Sequence, residues 1–262
     1  MSAPQAEHIT SRNNVFLKEL RRLSQSNTEY RKQGRFWAEG EHLGRSALAR
    51  GVQPVIGVFS ESFWPLAPAQ YARAASKNIV ISDRIFADIS GLESPARMGF
   101  VFDLLPVISL QSGLASVILD RVQDAGNVGS ILRSASAFGF KQIIALKGTA
   151  ALWSAKVLRA GMGAHWALQL IEGVTLADLA VLAVPIMVTS SHRGAWLHEA
   201  IKNQALALPC AWALGHEGQG VSAELEALAR LHVRIAQPGG EESLNVAAAA
   251  AICLHASAAA SL

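Results

Sequence analysis

The sequence is poor in cysteine, in aromatic residues and in charge. Its 262 residues include two cysteines, and only 6% are aromatic and 16% charged. Cys210 opens an apolar, strand-like run and Cys253 lies in an alanine-rich, helix-like run, so we predict two buried, reduced thiols and no disulfide. The eight histidines show neither a paired cysteine nor an H-E-x-x-H spacing, and we therefore expect no metal site.

The sequence also lacks long, strongly apolar runs. Its first ten residues have neither the basic nor the apolar region of a secretory signal. The later apolar stretches are interrupted by Asp178, Pro185 and His255 or consist mostly of alanine, whereas a membrane helix needs ~20 strongly apolar residues. We therefore expect a cytoplasmic location and no membrane partner. With 51% hydrophobic residues the chain should form a packed core, which excludes a disordered protein.

The small excess of positive charge is confined to the amino-terminal segment. Residues 1–50 contain nine Lys and Arg against five Asp and Glu, residues 51–111 four against five, and residues 112–262 ten against ten. Such a segment is typical of a surface that neutralises phosphates, although a solvated helix face has the same composition. The candidate phosphate ligands are Arg12, Lys18, Arg21, Arg22, Arg31, Lys32 and Arg35.

Periodicity predicts a small α/β domain at the amino terminus. The predicted elements are a helix over 16–23, a loop over 24–34, a strand over 36–40, a helix over 42–49 and strands over 55–59 and 79–81. Residues 104–113 have no clear periodicity and contain turn formers, which indicates a boundary near 105–113. We therefore predict two domains, 1–108 and 113–262.

Strands and helices alternate regularly from Ser116 onward. The predicted strands are 117–120, 142–146, 167–171, 186–190, 211–215 and 232–236. The predicted helices between and after them are 128–138, 153–162, 176–182, 223–230 and 244–260. Continuous apolar strands separated by helices indicate a parallel sheet covered on both faces, that is, a doubly wound α/β domain. Ligands bind such sheets at the carboxyl ends of the strands.

Three loops at such strand ends have unusual compositions. In the first, residues 120–135, Asn127 is a predicted N-cap, Gly129 allows close backbone approach, and Arg133 lies on the helix face away from the apolar residues. The second, residues 214–222, has three glycines that expose backbone groups, but not in a phosphate-loop or dinucleotide spacing. The third, residues 235–246, combines a Pro-Gly-Gly turn with Ser-Leu-Asn. Taken singly, each loop could simply lead into a capped helix.

Together the three loops resemble the motifs of the SpoU/TrmH branch of the SPOUT RNA methyltransferases, which transfer methyl from S-adenosylmethionine to a ribose 2′-hydroxyl. The matching positions are Asn127, Gly129 and Arg133 for N-x-G-x-x-x-R, Gly215, Glu217, Gly218 and Gly220 for G-x-E-G-x-G, and Ser243, Leu244 and Asn245 for S-L-N. Two loop-shaping positions depart from the family: Ala125 replaces its usual proline, and Ile235-Ala236-Gln237 replaces its usual Ile-Pro-Met.

This resemblance implies a cofactor site, a catalytic site and an assembly. S-adenosylmethionine would be held by Gly215, Ile235 and Leu244, with Leu214, Gly218 and Gln237 adjacent and Thr189 as a weaker candidate. Arg133 would act at the reacting ribose, while Asn127, Glu217, Ser243 and Asn245 would fix the loops and the substrate. The resemblance also implies a deep trefoil knot and a homodimer packed through the catalytic domains.

The amino-terminal domain is similar to the substrate-binding domain of the same family, which is itself like small RNA-binding ribosomal proteins. The similarity rests on Ser11-Arg12-Asn13, Lys18 and Phe36-x-x-Glu39-Gly40. It gives the basic segment a function in RNA binding and favours ribosomal RNA over transfer RNA. A non-catalytic RNA-binding or ribosome-assembly protein is disfavoured by the intact motifs, and a base methyltransferase by the absence of a placed cysteine nucleophile.

Overall fold

The structure is a computed structural model that describes residues 5–106, 109–206, 208–240 and 243–261. Its internal contacts divide this part of the chain into two units, residues 5–106 with 153–166 and residues 109–152 with 167–261. The predicted domains, 1–108 and 113–262, stay a prediction, because residue 108 lies outside the described residues.

The first unit contains a five-stranded mixed sheet. Its strands are β1 (Glu7–Ile9), β2 (Arg35–Glu39), β3 (Ile56–Ser60), β4 (Lys77–Ile81) and β5 (Met98–Asp103), in the order β1-β4-β3-β5-β2. Strand β4 pairs parallel with β1 and β3, whereas β5 pairs antiparallel with β3 and β2. Periodicity does not predict β1, because three residues are too few to show an alternation.

Short helices cover this sheet. They are α1 (Val15–Gln25), α2 (Glu29–Gln33), α3 (Glu41–Leu48), α4 (Ala69–Ala72) and α5 (Asp83–Ile89). The prediction of a loop over 24–34 is wrong at α2. This helix has one large apolar residue, Tyr30, which is buried, and it ends at Gly34 with a left-handed φ of 63°. One apolar residue in five gives no helical period, so burial in the fold determines the helix.

The second unit contains a seven-stranded sheet. Its strands are β6 (Ser116–Asp120), β7 (Gln142–Leu146), β8 (Gln169–Val174), β9 (Ile186–Thr189), β10 (Ala195–Trp196), β11 (Ala211–Gly215) and β12 (Leu231–Arg234). The order is β10-β12-β9-β11-β6-β7-β8, and every neighbouring pair is parallel. The predicted parallel α/β sheet is therefore confirmed. The trefoil knot stays a prediction.

Two long helices of the second unit determine where the loops meet. The α-helices in the described residues of this half are α6 (Ala125–Ala137), α7 (Ala155–Gly161), which belongs to the first unit, α8 (Leu197–Lys202), α9 (Ala223–Glu226) and α10 (Val246–Ala259), and the predicted helix over 176–182 is a 3-10 helix, Ala177–Leu182. Asn245 at the start of α10 contacts Asn127 in the first turn of α6, and Phe138 after α6 contacts His255 near the end of α10. The two helices therefore run side by side in the same direction, with their amino ends together.

The two cysteines are buried and unpaired, as predicted. Burial raises the pKa of Cys210 to about 11 and that of Cys253 to about 12, so both stay protonated at neutral pH. No helix in the described part of the chain has the length and apolar composition needed to cross a membrane. The same residues include no group of three or more His, Cys, Asp or Glu placed to hold a metal ion.

Candidate active site

Three loops of the second unit meet where strands β6, β11 and β12 end, at one edge of the parallel sheet. A chain of side-chain hydrogen bonds connects them. Asn245 Nδ2 donates to Asn127 Oδ1 at 2.9 Å, and Asn127 Nδ2 donates to Glu217 Oε1 at 3.0 Å. The structure thus brings together three of the predicted catalytic residues, one from each loop, in an arrangement that we call the amide relay.

The direction of the amide relay is fixed at both of its ends. Asn245 Oδ1 accepts hydrogen bonds from the backbone N–H groups of Ala247 (2.9 Å) and Ala248 (3.3 Å) in the first turn of α10. The amide nitrogen of Asn245 must therefore face Asn127, whose oxygen accepts and whose nitrogen faces a carboxylate. A side-chain amide is the group that can accept from one neighbour and donate to the other.

Glu217 ties the glycine-rich loop to the loop after β6. Besides Asn127, its carboxylate accepts from the backbone N–H groups of Asp124 (3.2 Å) and Gln123 (3.4 Å). Partial burial raises the pKa of Glu217, but these hydrogen bonds lower it by more, and the net shift is downward. Glu217 is therefore an anion at neutral pH, which explains an acidic residue between glycines.

The prediction that Asn127 is an N-cap is wrong. Helix α6 begins at Ala125, and Asp124 is its cap, with Oδ1 accepting from the backbone N–H of Asn127 at 2.7 Å. Aspartate caps a helix as well as asparagine does, so the sequence leaves both choices open. The earlier start places Asn127 inside the first turn, where its side chain is available to the other two loops.

A second set of contacts, which we call the Asp120–Arg121 clasp, holds the glycine-rich loop. Asp120 is buried, and its carboxylate accepts from Ser222 N (2.6 Å) and Arg121 Nε (3.0 Å). Arg121 donates to Gln219 Oε1 (2.8 Å) and to the carbonyl of Gly220 (3.4 Å). Burial raises the pKa of Asp120, but the hydrogen bonds from Arg121 and Ser222 lower it by more. The net shift is downward, so the carboxyl stays ionised. The sequence signal for this clasp is a charged pair at the end of an apolar strand, with Asp120 as the last residue of β6 and Arg121 directly after it.

A cavity of about 500 Å³ lies in the second unit beside the clasped loop. Six of the seven predicted cofactor residues line it: Thr189, Gly215, Gly218, Ile235, Gln237 and Leu244. The seventh, Leu214, is completely buried within β11. Ser243, Asn245 and Glu217 also line the cavity. Ser190, Ser191 and His192, which follow β9, are lining residues that the sequence analysis does not single out.

The lining of this cavity fits S-adenosylmethionine. Gln237 Oε1 is buried without a hydrogen-bond partner, and therefore offers an acceptor to a ligand amino group. Ile235 and Leu244 supply apolar side chains for a nucleoside. A Cβ on Gly215 would lie 2.1 Å from the backbone of residues 220–221, so only glycine allows the loop to close this tightly.

Arg133 is placed differently from the other predicted catalytic residues. It is exposed on α6, six residues after Asn127, and it is not among the described residues that line the cavity. Six residues correspond to about 9 Å along a helix. Arg133 therefore faces outward from the second unit, on the same helix as the amide relay.

The seven predicted phosphate ligands of the first unit differ in availability. Three form ion pairs with carboxylates: Arg12 with Asp88 (2.7 Å), Arg35 with Asp103 (2.9 Å) and Lys32 with Glu29 (4.0 Å). Arg31 lies over the ring of Tyr30. Lys18 and Arg22 are exposed, and Arg21 is half-buried. Part of the basic segment thus serves the fold of its own unit.

This parallel sheet, with a cavity of about 500 Å³ beside the loops at its carboxyl edge, defines an α/β protein that is built to hold a small ligand. The chain belongs to the SpoU rRNA Methylase family, whose model matches residues 115–255. Residues 14–98 match the MRM3-like substrate binding domain.

Individual relatives are similar over nearly their whole length. The 23S rRNA (guanosine(2553)-2'-O)-methyltransferase RlmP of Bacillus subtilis is 29% identical over 95% of this chain and 98% of its own. The AdoMet-bound rRNA methyltransferase of Sinorhizobium meliloti is 26% identical, with a TM-score of 0.78 over 96% of this chain and 97% of its own. A solved RNA 2'-O ribose methyltransferase is 26% identical, with a TM-score of 0.77 over 96% and 98%.

Proposed function

We propose that this protein transfers a methyl group from S-adenosylmethionine to a ribose 2′-hydroxyl of ribosomal RNA. The observation that carries the proposal is the amide relay, which joins three loops beside a cavity of about 500 Å³ at the carboxyl edge of a parallel sheet. Membership of the SpoU family and the 2′-O-methyltransferase names of its relatives support the same reaction.

The proposed roles follow from where each residue lies. S-adenosylmethionine, when bound, supplies an electrophilic methyl group. Gly215, Ile235, Leu244 and Gln237 would hold it, since they line the cavity. The amide relay holds the three loops in fixed positions relative to one another. Arg133 would bind the phosphate next to the target nucleotide, because a guanidinium binds phosphate in a planar, bidentate way. This contact would orient the ribose 2′-hydroxyl of that nucleotide towards the methyl group.

Ribosomal RNA is the proposed substrate class, with transfer RNA as the alternative. The Bacillus subtilis relative carries the name of a 23S rRNA methyltransferase, and the amino-terminal residues match a substrate-binding domain. Lys18 and Arg22 are exposed there and available to phosphates.

We also propose a homodimer, supported by helix α10. This helix has apolar residues around its whole circumference, a pattern that normally requires burial on every side. Four positions of the helix are nevertheless exposed: Ala248, Ile252, His255 and Ala259. They are four, three and four residues apart and so form a stripe along one face, in which Ile252 is 40% exposed. A partner helix would cover such a stripe.

The reaction can be tested with labelled S-adenosylmethionine and ribosomal RNA transcribed in vitro, which carries no modification. We expect label in the RNA, and resistance of one phosphodiester bond to alkali, since methylation removes the 2′-hydroxyl that attacks it. Label in transfer RNA alone would favour the alternative substrate. Label in a base, or none in any RNA, would contradict the proposal.

Two glycine variants test the placement of the cofactor. Gly215→Ala should weaken S-adenosylmethionine binding by about tenfold or more, because its Cβ would collide with the backbone of residues 220–221. Gly239→Ala is the matched control, since a Cβ there meets nothing within 4 Å. Calorimetry on the full-length proteins measures both. Equal affinities for the two variants would show that the cofactor binds elsewhere.

A further inference from the structure

The wall of the candidate cofactor cavity contains a glutamate that the proposed reaction does not use. Glu226 is the last residue of α9 and lines the cavity of about 500 Å³. Its side chain is 20% exposed, and it lies outside the three motifs and outside the amide relay. A carboxylate in the wall of a ligand cavity attracts bound groups of positive charge.

The described lining of this cavity is acidic. Its ionisable side chains are Glu217, Glu226, His192 and His216, and it includes no lysine or arginine. Glu217 is already engaged, because both of its carboxylate oxygens accept hydrogen bonds from the loop after β6. Among the described lining residues, Glu226 is therefore the carboxylate that is left to act on a ligand.

An ion pair holds Glu226 from the outer side of the cavity. Its Oε2 accepts a hydrogen bond from Arg193 Nη2, and its Oε1 accepts none from the described residues. The backbone N–H of Arg193 donates to Ser190 Oγ at 3.2 Å, which fixes the loop after β9. The side chain of Arg193 is 58% exposed and is not among the described lining residues. The pair therefore presents its carboxylate to the cavity and its guanidinium to solvent, where water and salt screen the positive charge.

A second arginine beside the cavity is also neutralised. Arg121 donates to the lining residues Gln219 and Gly220. Its guanidinium also pairs with the buried carboxylate of Asp120. A ligand in the cavity therefore meets the negative charge of Glu226 with little opposing positive charge from the described wall.

We propose that Glu226 makes the cavity selective for S-adenosylmethionine over S-adenosylhomocysteine, the product that remains after methyl transfer. The two molecules differ by one methyl group and by the positive charge of the sulfonium. Methyl transfer breaks the bond between sulfur and the methyl carbon, leaves its electron pair on sulfur and forms the bond to the ribose oxygen, whose proton passes to water. The attraction to Glu226 therefore ends when the product forms. The inference rests on the proposed cofactor site and adds a determinant of selectivity to it.

The test measures the Kd of three ligands by calorimetry on full-length variants without RNA. S-adenosylmethionine carries a positive charge at sulfur, sinefungin carries an ammonium group in the corresponding place, and S-adenosylhomocysteine is neutral there. In Glu226→Gln, which keeps the size of the side chain, both charged ligands should bind about five- to tenfold more weakly than in the parent. The Kd of S-adenosylhomocysteine should stay within about twofold, which also shows that the cavity is intact.

Glu199→Gln is the matched control, because it removes the same charge from an exposed position of α8 outside the described lining. It should leave all three Kd values within about twofold of the parent, since solvent screens a charge at the surface. Arg193→Ala should keep the preference for the charged ligands, because the carboxylate of Glu226 remains. If Glu226→Gln and Arg193→Ala weaken all three ligands alike, the ion pair only holds the loop, and the proposal is wrong.

Further outcomes separate the selectivity of Glu226 from the proposed reaction. In methyl transfer, S-adenosylhomocysteine should inhibit Glu226→Gln more strongly, relative to the KM for S-adenosylmethionine, than it inhibits the parent. If the parent binds none of the three ligands, the proposed cofactor site and this inference are both wrong. If the parent binds S-adenosylmethionine and transfers methyl, but Glu226→Gln binds the three ligands as the parent does, only the selectivity proposed for Glu226 is wrong.

Discussion

Asn127 uses both ends of its side-chain amide to join two other loops. Its oxygen accepts from Asn245 and its nitrogen donates to Glu217. Because the backbone N–H of Asn127 is already bonded to Asp124, the side chain serves no function in capping its own helix. The sequence marks Asn127 through its motif, but the partner at each end depends on loops that are some 90 and 118 residues away in the chain.

The amide relay predicts a pH-dependent defect in Asn127→Asp. This change keeps an acceptor for Asn245 but places a carboxylate beside that of Glu217, which raises the pKa of the pair. In the parent, the lowered pKa of Glu217 gives stability that is present above the ordinary carboxyl range and is lost only as pH falls below it. The variant should therefore transfer methyl poorly at about pH 8 and recover towards about pH 5, where the pair can share a proton.

Single-turnover methyl transfer across this pH range measures the effect. The free energy of unfolding of Asn127→Asp should also be lower than that of the parent by about 1 kcal/mol at neutral pH. The difference is small because solvent screens the repulsion between two exposed carboxylates. Asn27→Asp, which alters an exposed asparagine of the first unit, should show neither change. A defect in Asn127→Asp that does not vary with pH would mean that repulsion from Glu217 is not its cause.

At the scale of elements, the parallel sheet follows directly from the sequence. Strand β6 lies within a run of buried apolar residues, and its predicted bounds differ from the observed ones by one residue. The meeting of three loops also follows, since parallel strands end at the same edge. Strand β10 has two residues, and no local pattern can reveal it. The packing of α7 with the first unit is likewise invisible to periodicity, because it depends on tertiary contacts.

The Asp120–Arg121 clasp predicts that a residue outside the cavity controls cofactor affinity. Arg121 has a left-handed φ of 60°, a conformation that costs an L-residue about 1 kcal/mol or more. Arg121→Ala keeps this strain and loses the clasp, whereas Arg121→Gly loses both. Calorimetry should show S-adenosylmethionine bound about tenfold more weakly by each variant, because both release Gln219 and leave buried Asp120 without its cation.

Thermal unfolding separates the backbone from the side chain. Arg121→Gly should be more stable than Arg121→Ala by about 1 kcal/mol, since glycine adopts the left-handed conformation freely. The control is Arg230→Ala. Arg230 is exposed and directly precedes β12, whereas Arg121 directly follows β6, so this change should leave cofactor affinity unchanged. If only the alanine variant bound the cofactor weakly, the backbone at Arg121, and not the clasp, would control the loop.

At the scale of the whole molecule, the position of Arg133 and the exposed stripe of α10 point to the same arrangement. Arg133 is exposed and is not among the described residues that line the cavity of its own chain, and α10, which packs beside α6, leaves apolar side chains uncovered. If a second copy covers α10, Arg133 of one protomer can reach the cavity of its partner. A functional site would then need both chains.

Mixing two inactive variants tests this shared site. Arg133→Ala should lose on the order of 10²-fold in methyl transfer with little change in cofactor affinity, and Arg133→Lys should also fail, because an ammonium lacks the planar fork. Gly215→Ala should transfer little methyl when S-adenosylmethionine is kept well below the raised Kd of this variant, because few of its cavities then hold the cofactor. When the two are unfolded together and refolded as a mixture, each mixed dimer has one site with an intact arginine and an intact cavity. Activity should return to about a quarter of the parent value, since half of the dimers are mixed and each has one working site. If Arg133 acted within its own chain, every site in the mixture would lack either the arginine or the cofactor, and activity would not return.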